Sequence, residues 1–153
     1  METLDSRVRL VWFVGVLFTT ALIGGGLFGA RRFVADFAVW ISVVIPLVIL
    51  VVGGTYVALK YRSWQFEIRD DNLYLERGVF TRVTTVVPFV RVQHVDTQRG
   101  PIERLVGLGS VVVYTAGSRG ADVTIPGLTP ERASNLQRRL RNLAIESEYE
   151  DAV

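Results

Sequence analysis

The sequence predicts a two-helix transmembrane hairpin followed by a small α+β domain. Three observations lead to this fold class: two long uncharged apolar runs near the start of the chain, short segments of alternating polarity after residue 61, and one amphipathic stretch towards the end. Apolar runs of about 20 residues are long enough to cross a bilayer as helices. Alternation with a period of two indicates strands that place one face on a core.

Composition excludes several classes of protein before any motif is considered. The chain has 153 residues, no cysteine and a formal net charge of +2. Without cysteine there is no disulfide, thiolate nucleophile or zinc finger. The nearly balanced charge argues against nucleic acid as a partner, because nucleic-acid-binding domains usually carry a strongly basic face. Disorder is excluded as well, since half of the residues are hydrophobic.

The two apolar runs are predicted to be transmembrane helices over residues 10–30 and 37–59, joined by a short turn at residues 31–36. A signal peptide is the alternative for the first run, but the run is long for that role and no cleavage motif follows it. Neither run contains a charged residue, and transporters and proton relays usually need one inside the membrane. We therefore interpret the hairpin as an anchor in the cell membrane.

The short turn predicts antiparallel helices, so both ends of the chain lie on one side of the membrane. We expect residues 1–9 to be a tail on that side. Basic residues flank the helix ends there more often than in the turn, which places both termini in the cytoplasm by the positive-inside rule. Small residues four positions apart predict close packing of the two helices: Gly25 with Gly29, and Gly54 with Ala58.

Residues 61–144 are predicted to form a globular domain. Trp64, Phe66 and Ile68 alternate with polar residues, and the polar turn at residues 70–72 leads into a returning strand. Short strands at this regular spacing indicate a small barrel or sandwich. The other predicted elements are strands at residues 83–90, 91–97, 109–116 and 122–125, with a helical turn at residues 101–105.

A single helix is predicted to end the domain. Thr129 is a suitable N-cap, and Pro130 fits the first helical position. The apolar face that would pack on the strands consists of Ala133, Leu136, Leu140 and Leu143. Residues 145–153 are acidic, and we expect them to be a frayed tail.

Several motifs of the domain occur in an order that is specific to one group of proteins. They are Arg62-Ser63-Trp64-Gln65-Phe66, Leu73-Tyr74-Leu75-Glu76-Arg77-Gly78, Val87-Pro88, Arg91-Val92-Gln93-His94-Val95, Gln98-Arg99-Gly100-Pro101-Ile102-Glu103-Arg104, Gly107-Leu108, Thr115-Ala116-Gly117 and Ile125-Pro126-Gly127-Leu128. This order resembles the YdbS-like family of prokaryotic membrane proteins, which carry a pleckstrin-homology-like (PH-like) domain.

The resemblance implies a seven-stranded antiparallel β-barrel closed at one end by the C-terminal helix. It also implies a non-catalytic protein, because the family has no established enzymatic activity. Members of the family often occur with related proteins that carry several such domains. We therefore expect two kinds of partner, the lipid bilayer itself and another membrane protein, such as a related protein with several PH-like domains.

The connecting region between residues 93 and 104 is the candidate interaction surface, because it concentrates polar residues and family-like motifs. Its members are Gln93, His94, Gln98, Arg99, Glu103 and Arg104. The alternative is that these residues only shape a turn and cap the barrel.

Anionic lipid headgroups are a second candidate ligand, with surface arginines as the contacts. The candidate contacts are Arg77, Arg82, Arg91 and Arg119. The alternative is scattered arginine paired with local acids. We do not expect a headgroup site at the first hairpin, because Asp70 and Asp71 would repel a phosphate there.

No catalytic, cofactor or metal site is expected. His94 is the only histidine, so no second histidine can complete a metal site with it. Asp70 and Asp71 lie between two alternating segments, where aspartate commonly forms turns.

Overall fold

The structure, a computed structural model, describes residues 1–33, 38–116 and 122–151. The chain divides into two compact units: a helical unit over Arg9–Leu59, and a globular unit formed by Met1–Val8 together with Lys60–Val153. The elements in chain order are β1 (Glu2–Thr3), α1 (Val8–Phe33), α2 (Val39–Ser63), β2 (Gln65–Ile68), β3 (Asn72–Arg77), β4 (Val83–Pro88), a 3-10 helix (Phe89–Arg91), β5 (Val92–Gln98), α3 (Pro101–Leu105), β6 (Gly109–Thr115), β7 (Val123–Leu128) and α4 (Pro130–Asp151).

The helical unit is built from α1 and α2. Helix α1 contains the first predicted run and extends beyond both of its ends, whereas α2 begins at Val39, inside the second predicted run, and continues past its end to Ser63. Both helices are long and apolar enough to cross a membrane, and their apolar windows are only 0% and 6% buried within the chain. A core helix of a soluble protein would instead be mostly buried. The first three residues of the predicted turn at residues 31–36 continue α1, and the other three lie outside the described residues.

Glycine brings α1 and α2 into close contact. An added Cβ at Gly53 would lie 2.5 Å from Cγ1 of Val16, and one at Gly24 would lie 3.2 Å from Cγ of Pro46. The small-residue contacts therefore involve Gly24 and Gly53, whereas the predicted Gly25 has open space beside it. Pro46 lies inside α2, and the helix continues on both sides of it.

The globular unit contains two antiparallel sheets, with strand orders β1-β2-β3-β4 and β5-β6-β7. The predicted alternation is confirmed most clearly in β3, where Leu73 and Leu75 are fully buried. The expected seven strands and C-terminal helix are present, but the barrel is not closed. Within the described residues no ladder joins β4 to β5 or β1 to β7, because Pro88 and the following 3-10 helix redirect the chain after β4.

The core lies between the two sheets and α4. Its buried side chains include Phe66 from β2, Val113 from β6, Ile125 from β7 and Leu136 and Leu140 of α4. Thr129 caps the helix as predicted, because its Oγ1 accepts a hydrogen bond of 3.3 Å from the amide of Arg132. The helix continues through most of the segment that was expected to be a frayed tail, as far as Asp151.

The segment before α1 belongs to the globular unit, although it was expected to be a separate tail. Glu2 and Thr3 form β1, which pairs with Phe66 and Gln65 of β2. Leu4 and Val8 are buried in the core. A two-residue strand is too short to show alternation, so the sequence pattern carries no signal for it.

Gly127 is the position where this segment meets the second sheet. The amide of Asp5 donates a hydrogen bond of 2.8 Å to the Gly127 carbonyl. Gly127 has a φ of +66°, and an added Cβ would lie 2.6 Å from Cβ of Val8. Only glycine satisfies both the backbone angle and this close approach.

Replacing Gly127 with alanine is expected to destabilise the protein by about 2–4 kcal/mol, because it adds a core clash to an unfavourable backbone angle. The measurement is chemical unfolding of the full chain in detergent micelles. Gly100→Ala is the matched control: Gly100 has a φ of −69°, and the nearest atom to an added Cβ is Oε2 of Glu103 at 3.5 Å. Equal stability of the two variants would contradict the proposed packing.

Asp5 is expected to make the globular unit sensitive to acid. Hydrogen bonds from the side chain and the amide of Arg7 lower the pKa of the Asp5 carboxyl below its usual value. A carboxyl whose pKa is lower in the folded state stabilises the fold above its unfolded pKa, and that contribution disappears as the pH falls through the folded pKa. Stability should therefore fall below about pH 4.

The Asp5→Asn variant should lose part of this acid dependence and be less stable than the native chain at pH 7 by up to about 1 kcal/mol. The measurement is the free energy of unfolding between pH 3 and pH 7. Asp70→Asn, in an exposed turn, is the matched control. If the Asp5→Asn variant kept the pH dependence of the native chain, the contact between Asp5 and Arg7 would not contribute to the acid sensitivity of the fold.

Candidate functional site

β5 is an edge strand with an irregularity at its start. In the part of the chain that the structure describes it pairs only with β6, and the register shifts between Val92, opposite Thr115, and His94, opposite Tyr114. Gln93 is therefore an extra residue on β5, which is the definition of a bulge. Bulges bend an edge strand and redirect its side chains.

The free edge of β5 faces α4. The side-chain amide of Gln137 on α4 donates a hydrogen bond of 2.7 Å to the Val95 carbonyl. In an antiparallel ladder, alternate residues direct their backbone groups to the same side. The backbone groups of Thr97 consequently point to the same edge as those of Val95.

A groove of about 500 Å³ separates the start of β5 from α4. We call it the β5–α4 groove. Its lining residues are Val92, Gln93, His94 and Val95 of β5 and Gln137, Arg138, Arg141, Ala144, Ile145 and Glu148 of α4. The lining therefore combines apolar side chains, a strand edge, two arginines and one carboxylate.

His94 lies at the border between the groove and the outer face of the second sheet. Its ring stacks on Tyr114 with centroids 4.2 Å apart, and its Nε2 is 3.9 Å from Oδ2 of Asp96. The Tyr114 hydroxyl accepts a weak hydrogen bond of 3.5 Å from Gln98. His94 is 58% exposed, so it is a surface residue that is held in orientation by an aromatic neighbour.

The structure separates the predicted interaction surface into two parts. Gln93 and His94 line the β5–α4 groove, whereas the other four members lie at or beyond the opposite end of β5. The Nε of Arg99 donates to the Leu108 carbonyl at 3.0 Å. Oε2 of Glu103 accepts from the Gly100 amide at 2.7 Å. Arg99 and Glu103 thus hold the connection in shape, while Arg104 is exposed.

The predicted lipid contacts are also separated. Arg77 and Arg82 flank the loop between β3 and β4. Arg91 lies in the 3-10 helix beyond the other end of β4, where its carbonyl accepts a hydrogen bond from the Ala116 amide. Arg119 lies outside the described residues.

Acidic residues do not assemble a metal site in the part of the chain that the structure describes, where no group of three histidine, aspartate or glutamate side chains could hold an ion. Asp70 and Asp71 lie in the turn between β2 and β3, and the Asp71 carbonyl accepts a hydrogen bond of 3.1 Å from the Phe89 amide. Asp71 therefore helps to connect the turn to the 3-10 helix.

Comparison with known proteins agrees with this architecture. The model of the family described as "Bacterial PH domain" matches residues 15–144. The chain belongs to the bacterial PH domain family. The chain is also 32% identical over 111 residues to the UPF0699 transmembrane protein YdbS of Bacillus subtilis (strain 168). The aligned residues make up 69% of this chain and 67% of that protein. No solved structure matches.

These matches confirm the resemblance to YdbS-like membrane proteins. They also support the assignment of α1 and α2 as transmembrane helices, because the relative is named as a transmembrane protein. Bacterial PH domains and YdbS-like membrane proteins are generally non-catalytic.

The residues that line the groove on the α4 side were not predicted from the sequence. Gln137, Arg141, Ile145 and Glu148 recur at helical spacing beside the buried leucines. The helical period shows that these residues lie off the core face. It does not show that this second stripe faces an unpaired strand edge, because β5 is distant in sequence.

The Gln137→Leu variant of this bacterial PH domain chain is expected to be less stable by about 1–2 kcal/mol, because the Val95 carbonyl loses its donor. The measurement is chemical unfolding of the full chain in micelles. Asn142→Leu, at an exposed position of the same helix, should change stability by less than about 0.5 kcal/mol. If both variants unfold alike, the hydrogen bond to Val95 makes no net contribution.

Proposed function

We propose that this protein is a non-catalytic interaction module anchored at the cytoplasmic face of the cell membrane. In this proposal the β5–α4 groove binds an extended segment of another membrane protein. The observation that supports it is the hydrogen bond between Gln137 and the Val95 carbonyl. In that bond a backbone carbonyl at the edge of β5, in the groove lining, accepts its hydrogen bond from a side chain and not from a neighbouring strand.

An extended segment suits this groove because it can pair with β5 as an additional strand. Binding domains commonly use an exposed sheet edge in this way, with backbone hydrogen bonds for affinity and side-chain contacts for specificity. The Gln137 amide occupies the place that a backbone N–H of the ligand would take. The ligand would displace Gln137 and form its own bond to Val95.

Charge favours an acidic segment. Arg138 and Arg141 line the groove on the α4 side, against the single carboxylate of Glu148. Arginine binds carboxylates with two parallel hydrogen bonds. The Arg138 guanidinium already donates to the side-chain Oδ1 of Asn135 on the same helix, so we take Arg141 as the arginine that binds the ligand.

The partner is proposed to be another membrane protein, with a related bacterial PH domain protein as the first candidate. Tethering in the same membrane raises the effective concentration of two partners, so a modest affinity suffices. Pairing of β1 with β2 requires residues before α1 and residues after α2 to lie on one side of the membrane. The positive-inside rule makes that side the cytoplasm.

Anionic lipid headgroups are the second candidate ligand. The observation that favours them is the position of Arg77 and Arg82 on either side of one loop. Arginine near an anionic membrane surface gains about 1 kcal/mol per residue. This candidate concerns a different part of the globular unit from the β5–α4 groove.

The groove proposal is tested by crosslinking in native membranes. A photoreactive amino acid replaces Ile145, which lines the groove and is 44% exposed, and the crosslinked peptide is sequenced. The expected product is an acidic segment of a membrane protein. Asn142, exposed on the same helix, is the position for the control crosslinker.

Charge reversal completes this test. Arg141→Glu should reduce the Ile145 crosslink by about tenfold, because it replaces an attraction of about 1.4 kcal/mol or more by repulsion. Arg139→Glu makes the same charge change on an exposed residue that does not line the groove and should leave the crosslink unchanged. The groove proposal would be contradicted if Ile145 crosslinked only to lipid. It would also be contradicted if neither Arg141→Glu nor Arg139→Glu changed the crosslink.

A further inference from the structure

One end of the globular unit is the end at which the chain joins the transmembrane helices. α2 ends at Ser63 and β2 begins at Gln65. Gln65 pairs with Glu76 of β3, and the next residue, Arg77, pairs with Val83 of β4. The β3–β4 loop at residues 78–82 therefore lies at the end of the first sheet where the chain leaves a transmembrane helix. We call this the proximal end.

One end of the second sheet lies beside the proximal end of the first sheet. Arg7, the residue before α1, donates a hydrogen bond of 3.1 Å from Nη1 to the Val106 carbonyl. The neighbouring Asp5 amide bonds to the Gly127 carbonyl near the end of β7. The end of α3 at Leu105 is thus held beside the point where the chain enters the other transmembrane helix.

Each of these two sites carries an exposed apolar side chain. Phe80 in the β3–β4 loop is 91% exposed, and Leu105 at the end of α3 is 86% exposed. No other large apolar side chain among the described residues of the globular unit is as exposed. Arginine flanks both, with Arg77 and Arg82 around Phe80 and Arg104 beside Leu105.

The opposite, distal end has a different character. Asp70 and Asp71 lie there in the β2–β3 turn, and Glu146 of α4 lines the same shallow depression. Carboxylates are repelled by an anionic membrane surface, whereas arginines are attracted to it. The contrast between the loop flanked by Arg77 and Arg82 and the turn with Asp70 and Asp71 therefore favours an orientation in which the proximal end faces the lipid.

We propose that the proximal end is a membrane-docking face, in which Phe80 and Leu105 insert into the headgroup region of the bilayer. The flanking arginines contact lipid phosphates. Apolar side chains beside basic residues bind membrane interfaces in this manner, through apolar burial combined with attraction to anionic lipid. The inference depends on α1 and α2 crossing the membrane and is independent of the β5–α4 groove.

This arrangement adds a contact that the hairpin alone does not provide. Two insertion points, together with the two chain connections, would restrict rotation of the globular unit against the membrane. Val92 and Gln93 begin β5 at the distal end, opposite Gln98 and α3. The β5–α4 groove would therefore open away from the lipid and stay accessible to a protein partner.

The test uses the full chain in nanodiscs that hold one copy each. Because the chain has no cysteine, single variants Phe80→Cys and Leu105→Cys can be labelled with an environment-sensitive fluorophore. Val90→Cys is the matched control, since Val90 is apolar and 50% exposed but lies in the 3-10 helix at the distal end. Quenching is measured with lipids that carry a spin label at the top of the acyl chain.

The labels at 80 and 105 should emit at shorter wavelength than the label at 90 and should be quenched by the labelled lipids. Arg77→Gln with Arg82→Gln should reduce quenching at 80 in anionic nanodiscs, whereas Arg91→Gln should not. Emission and quenching at 80 and 105 that match position 90 would overturn the proposal, as would quenching at only one of the two. The two labels lie on separate elements. If one variant does not fold, quenching of the label in the other variant, compared with position 90, decides the test.

Discussion

The globular unit depends on the contact between the segment before α1 and Gly127. Val8 approaches Gly127 so closely that no side chain fits between them, and the Asp5 amide bonds to the same residue. Leu4 and Val8 fill the core on one side of this contact. As a result, the two sheets share a boundary even though no ladder closes the barrel. A domain assembled only from residues after α2 would lack β1 and part of its core.

This contact also places both chain connections at one end of the domain. The β3–β4 loop and α3 lie at that proximal end, and the acidic β2–β3 turn lies at the other. The bulge at Gln93 and the start of the β5–α4 groove lie towards the distal end. Lipid contact and protein contact can therefore be made by different parts of one small domain.

Local patterns predict most of the fold. The alternation around Leu73 and Leu75 and the apolar face with Leu136 and Leu140 both reflect burial of neighbouring residues, and the structure confirms them. β1 could not be predicted, because its pairing with β2 joins residues separated by the whole hairpin. The groove was missed for the same reason: Gln137 and Val95 are 42 residues apart. The separation of the two sheets was not predicted either: Pro88, which has no N–H to donate, and the 3-10 helix after it lie between β4 and β5.

The pairing of β1 with β2 also constrains how the protein is made. Residues 2–8 are synthesised before the two transmembrane helices, while their partners in β2 and β7 are synthesised after them. Insertion of the hairpin brings the two halves of the globular unit to the same side and shortens the effective loop between them, which lowers the entropic cost of closure. On this account, insertion of the hairpin would assist folding of the globular unit, because Leu4 and Val8 complete a core whose other residues all follow the hairpin.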